Sequence, residues 1–132
     1  MTINLDELDA IDQLKPLAEE LNAESNDLNQ TIIVISDRLA SLNLGIEVWF
    51  QSSRCDSEIG FGKFAERGCE GWTLAVRRGV TVSPLTSASR DLRIEGLTLV
   101  PQIVTRLRTE TTEALKQIAA AKQFAGRDSE AT

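Results

Sequence analysis

Leu14, Leu17, Leu21, Leu28, Ile32, Ile35, Leu39 and Leu42 recur at steps of three, four or seven residues. That spacing lays them along one stripe of an α-helix. Pro16 suits a first helical turn, where a missing N–H costs nothing, and Gly45 suits the positive φ that ends a helix. The expectation is a helix from about Pro16 to Asn43, with a shorter helical segment before it built on Leu5, Leu8 and Ile11. "ESND" at 24–27 is the place where a second helix could be capped anew.

A second stripe runs through Leu92, Gly96, Leu99, Ile103, Leu107, Thr111, Ala114, Ile118, Ala121 and Ala125. Ser87 or Ser89 can cap this helix, and Asp91 favours its first turn. Pro101 lies inside the stripe. Its ring clashes with the preceding turn and removes one N–H, so it should kink the helix or divide it. The long piece is expected to end at Gly126. The reading is a single domain over residues 1–126, with 127–132 as a frayed tail.

Between the stripes the period changes from 3.6 to two. "GIEVWFQ" alternates, with Ile46, Val48 and Phe50 on one side and Glu47, Trp49 and Gln51 on the other. After the polar loop "SSRCDSE", the stretch "GFGKFAERGCEGWTLAVRRG" reads as a hairpin. One strand covers about 60–66, and "RGCEG" is the turn, with Gly68 and Gly71 available for positive φ. The next strand covers 72–78, with Trp72, Leu74 and Val76 alternating against Thr73, Ala75 and Arg77. Gly79 would bend the chain into a short fourth strand near 80–82. Helices segregated from three or four antiparallel strands make an α+β fold. Both helices exceed the usual globular length, which leaves apolar stripe to spare for a dimer.

Several kinds of chemistry are closed off. The chain has no histidine, so the commonest general base and metal ligand is missing, and no Ser-His-Asp or Cys-His arrangement can be drawn. Cys55 and Cys69 alone lack two of the ligands of a zinc site and read as buried thiols. "GFGK" at 60–63 lacks the strand-to-helix setting and the GxxxxGK[ST] pattern of a phosphate loop. No cofactor and no metal site is expected. The acidic N-terminus has no apolar core of a signal peptide, and the longest aliphatic run, 32–35, is too short to cross a bilayer, so a cytoplasmic protein without membrane association is expected.

Charge is unevenly spread. Eight carboxylates before residue 30, Glu19, Glu20 and Glu24 among them, face the single Lys15. They form a solvated helix face or a surface for a basic partner. Six arginines between Arg77 and Arg108, including Arg90 and Arg93 three apart, face only Asp91 and Glu95. They either pair with the acidic helix or bind an anion or nucleic acid, a use that the overall charge of −6 disfavours. Trp49 lies on the side of its strand away from the helices. Phe61, Lys63, Ala75 and Arg77 could join it there, if Phe64 turns inward with Trp72, to make an aromatic and basic sheet face. The leading expectation is a noncatalytic protein–protein interaction module, adaptor- or inhibitor-like and dimeric through its helices. The alternatives are anion or nucleic-acid binding through the arginines, and a small-ligand binder or histidine-free enzyme with a pocket between sheet and helices.

Overall fold

A computed structural model describes residues 4–66 and 69–130. The chain runs α1 (Leu5–Gln13), α2 (Lys15–Ser41), β1 (Val48–Gln51), β2 (Glu58–Glu66), β3 (Cys69–Arg78), β4 (Thr81–Pro84), a single 3-10 turn (Leu85–Ser87) and α3 (Arg90–Glu130). This is the expected α+β order, with all four strands present.

The helix boundaries follow from local chemistry. Asn4 caps α1 by accepting the Asp6 N–H at 3.2 Å. Pro16 is the second residue of α2 and cannot donate back to Asp12, so the ladder is interrupted and Leu14 alone joins α1 to α2. α2 continues through 24–27 without a new cap. It ends where Asn43 and Gly45 take positive φ, 54° and 67°. Ser89 caps α3, its hydroxyl accepting the Leu92 N–H at 3.4 Å.

Of the two outcomes expected at Pro101, a kink or a division, the helix is not divided; it passes the expected end at Gly126 to reach Glu130. One backbone bond, to the Leu97 carbonyl, is lost at the proline. Leu92 on one side of it and Ile103 and Leu107 on the other are buried in the same core, which holds both halves in register.

The sheet is an antiparallel meander in the order β1-β2-β3-β4. Val48 lies opposite Phe61, Phe50 opposite Ile59, Phe61 opposite Leu74 and Ile59 opposite Val76. These six share the face that meets α2 and α3. There Ile32 and Ile103, one from each helix, close the core with Leu85, Leu92 and Leu107. Gly79 has φ 60° and turns β3 into β4. In the β2–β3 turn, Arg67 and Gly68 lie outside the described residues. Gly71 is not a turn residue: it sits within β3, opposite Phe64.

α2 and α3 run in the same direction. Near the start of their contact Arg93 Nη1 donates to Asn29 Oδ1 at 2.8 Å. Further along both helices, Leu39 and Leu42 line one groove with Leu107 and Thr111. The chain before about residue 28 therefore leaves the body at one end, and the chain after about residue 112 leaves at the other.

One helix-to-sheet hydrogen bond fixes the register of α2 on the sheet. β4 reaches along β3 only to Ala75, opposite Pro84. Beyond that point the Leu74 N–H donates to Ser36 Oγ at 3.1 Å, and both residues are buried. Ser36→Ala leaves that N–H unpaired. The expected loss is about 1–3 kcal/mol in urea unfolding. An unchanged urea midpoint would show that this bond is not needed.

Candidate interaction surfaces

Trp49 defines the outer face of the sheet. It sits opposite Gly60, and its indole ring lies across Gly62, which is buried beneath it. A Cβ at Gly62 would enter the ring's van der Waals space. Phe64 does the same to its cross-strand partner Gly71. Gly62 of "GFGKF" and Gly71 of "CEGW" are thus seats for two aromatic rings, not parts of a phosphate loop, and Gly60 lets the β1 backbone at Val48 come close. Ala75, also on this face, is fully buried. The Arg77 guanidinium stacks 4.6 Å from the Trp49 ring centroid. Arg77 also forms a forked pair with Glu58, with both Nε and Nη2 bonded at 2.9–3.0 Å. Trp49 Nε1 donates to Glu47 Oε2 at 3.2 Å, while Glu47 Oε1 accepts the Lys63 N–H at 3.1 Å. Glu47 so extends the β1–β2 pairing with its side chain.

Trp49 and Arg77 therefore share the outer face, as expected from strand parity. Phe61 does not: it is a core residue, 2% exposed, and its ring meets Trp72 at 5.7 Å. Phe64 turns outward in its place. Lys63 has the inner parity of Phe61 but lies past the core, where it is exposed and paired with Glu70 at 3.4 Å.

The arginines are dispersed. Arg77 is on the outer sheet face, and Arg78 donates to Ser57 Oγ at 2.9 Å. Arg90 opens α3 and is exposed. Arg93 turns in toward the Asn29 amide of α2, and its buried Nε has no partner among the described residues. Arg106 stacks 4.5 Å from the Phe50 ring centroid. Arg108 lines the α2–α3 groove. Among the described residues none of them pairs with a carboxylate of the acidic N-terminal segment.

That segment forms an arm. From Leu5 to Leu21 every residue is exposed, Glu19 and Glu20 lying within it and the exposed Glu24 one turn beyond. The apolar residues Leu5, Leu8, Ile11, Leu14, Leu17 and Leu21 are 43–76% exposed. A second arm, the end of α3, exposes Leu115, Ile118 and Phe124 by 52–67%. The apolar groove of about 230 Å³ between α2 and α3 leads into this second arm.

A polar cluster missed in the sequence ties the β1–β2 loop to α3. Glu95 accepts Ser52 Oγ at 2.6 Å, Ser53 Oγ at 2.6 Å and the Ser53 N–H at 2.9 Å. Burial pushes the Glu95 carboxyl up, but the bonds from Ser52 and Ser53 and the charge of Arg54 outweigh it and hold it below its usual 4.5. The signal was there in retrospect: three serines in the loop and one acid on the core-proximal side of α3. Beside them Cys55 is exposed, not buried as its residue type suggests. The Cys69 side chain lies outside what is described.

A further pocket of about 300 Å³, lined by Val76, Arg78, Thr81, Ser83, Ser87 and Ser89 among others, sits at the β4 edge, between the inner face of β3 and β4 and the turn that leads into α3. Among the described residues no group of acids and cysteines is arranged to hold a metal ion, and no helix is long and apolar enough to cross a membrane. Comparison with protein-family models, with curated proteins and with solved structures gives no match to this chain.

Two outcomes follow. Gly62→Ala is expected to cost about 1–3 kcal/mol by overpacking against the indole. The cost should shrink in the double variant with Trp49→Ala, and additive losses in denaturant unfolding would disprove the seat. Glu95, with its folded pKa lowered, adds stability above 4.5 that is lost as pH falls through the lower folded value. Glu95→Gln should therefore reduce stability at neutral pH and flatten the acid limb of the stability curve. A parallel acid limb would refute that role.

Proposed function

We propose that the protein is a noncatalytic interaction module, adaptor- or inhibitor-like, that binds another protein. The observation that supports this most directly is the N-terminal arm. It holds six large apolar side chains in water beside a surplus of seven negative charges, on α1 and the first turns of α2, which add nothing to the core. Exposed apolar groups of this extent, rimmed by charge, are characteristic of association surfaces. The acidic surplus steers encounter with a basic partner. Trp49 and Arg77, residue types enriched where binding energy concentrates, offer a second contact on the outer sheet face. Anion or nucleic-acid binding through the arginines is the weaker reading, because their side chains point to separate places and most are engaged locally.

A tagged pull-down from native lysate, with nuclease, tests the proposal. The expected result is a stoichiometric, nuclease-resistant protein that is lost when Glu19, Glu20 and Glu24 are all replaced by lysine. An identical bound set for wild type and the charge-reversed variant would refute a role for the acidic arm. Material lost on nuclease treatment would favour the arginines.

A further inference from the structure

Among the described residues, fourteen of the fifteen exposed large apolar side chains lie on the helices or their end residues; Val80, at the β3–β4 bend, is the exception. Nine belong to the two arms. The arms are comparable in reach: residues 5–27 span about 34 Å and 113–130 about 27 Å as helix. Because α2 and α3 run in the same direction, the arms leave the body at opposite ends.

This arrangement has a symmetric solution. Turn a second copy end over end about a twofold axis across the helices. Its C-terminal arm then lies at the end where the first copy's N-terminal arm projects, running antiparallel to it, and the same match forms at the other end. Each N-terminal arm meets a C-terminal arm, and never its own kind.

Charge selects the same pairing. The N-terminal arm has seven negative charges in excess, and two such arms side by side would repel. The C-terminal arm is different. Over 113–130, Lys116, Lys122 and Arg127 balance Glu113, Asp128 and Glu130, so this arm carries no net charge and does not repel the acidic one. Arg108, Leu115 and Lys122 recur at seven-residue steps, so two cations flank one of the exposed apolar side chains on one side of the helix. The area is sufficient as well. Leaving out Phe124, which lies half a turn round the helix from Leu115, sixteen arm residues from two copies, each covering on the order of 80 Å², bury roughly 1,300 Å², within the range of stable interfaces.

We propose that two copies of this chain form a twofold dimer in which the acidic N-terminal arm of each packs antiparallel along the C-terminal arm of the other. The apolar stripes are consumed by the pairing. The carboxylates on the far side of the arm, Glu19 foremost, stay in water for a separate partner. Dimerisation needs no such partner, so failure of the functional reading and failure of the dimer are separate results.

The test uses the full chain, purified alone. Sedimentation equilibrium at tens of micromolar should give twice the 14.5 kDa chain mass, and Leu17→Glu with Leu21→Glu should return one chain mass with an unchanged circular dichroism spectrum. A wild-type protein of one chain mass overturns the proposal. Arm pairing is then read by cross-linking in a Cys55→Ser background with a short bismaleimide. Mixing Leu17→Cys chains with Ile118→Cys chains should give a covalent heterodimer. Efficient cross-linking of Leu17→Cys chains to one another would overturn the arrangement in favour of like arms pairing.

Discussion

Everything in this molecule depends on one sheet face finding cover. Ile59, Phe61, Leu74 and Val76 form a near-continuous apolar patch at the centre of the inner face, and they are buried because Ile32 of α2 and Ile103 of α3 press on it from above. A four-stranded sheet is less than 20 Å wide by the spacing of neighbouring strands, and it can occupy only a few turns of each helix. α2 and α3 are much longer than that. Both arms are a geometric result of helices that outrun the surface they cover.

The outer face is solved differently. Among the described residues no helix covers it, so the sequence supplies its own lid from within the sheet. Trp49 and Phe64 fold flat over Gly62 and Gly71, and Arg77 closes over Trp49 while Glu58 holds the guanidinium in a fork. Because Arg77 and Glu58 are each about one-third exposed, the pair adds on the order of 0.5 kcal/mol by itself and mainly orients the guanidinium. Small residues beneath large ones let a sheet bury apolar surface without a second layer.

Much of this was legible in the sequence. The two helical stripes, the break before Pro16, the bend at Gly79 and the inward parity of Val48, Leu74 and Val76 all come from spacing alone. β2 misled for a definite reason. Phe61 and Phe64 are three apart and must face opposite ways, and the neighbours that should decide, Gly60 and Gly62, have no side chains to vote. Ile59, in step with Phe61, was the informative residue. At Pro101 spacing alone left a kink or a division open, because it is the buried contacts on both sides of the proline that keep the helix whole. The Ser52–Ser53–Glu95 cluster joins positions over forty apart, a distance at which periodicity carries no information.

The strand order carries a final consequence. β1 and β4 are the edges, and each has only four residues. Pro84 ends β4 without an N–H to offer, and the 3-10 turn follows at once. Glu47 places a charge at the start of β1 and spends its carboxylate on groups of its own chain. Short, charged and proline-terminated margins resist the addition of further strands. The sheet is self-limiting, and a chain that exposes this much apolar helix can do so without inviting fibrous growth through its β-structure.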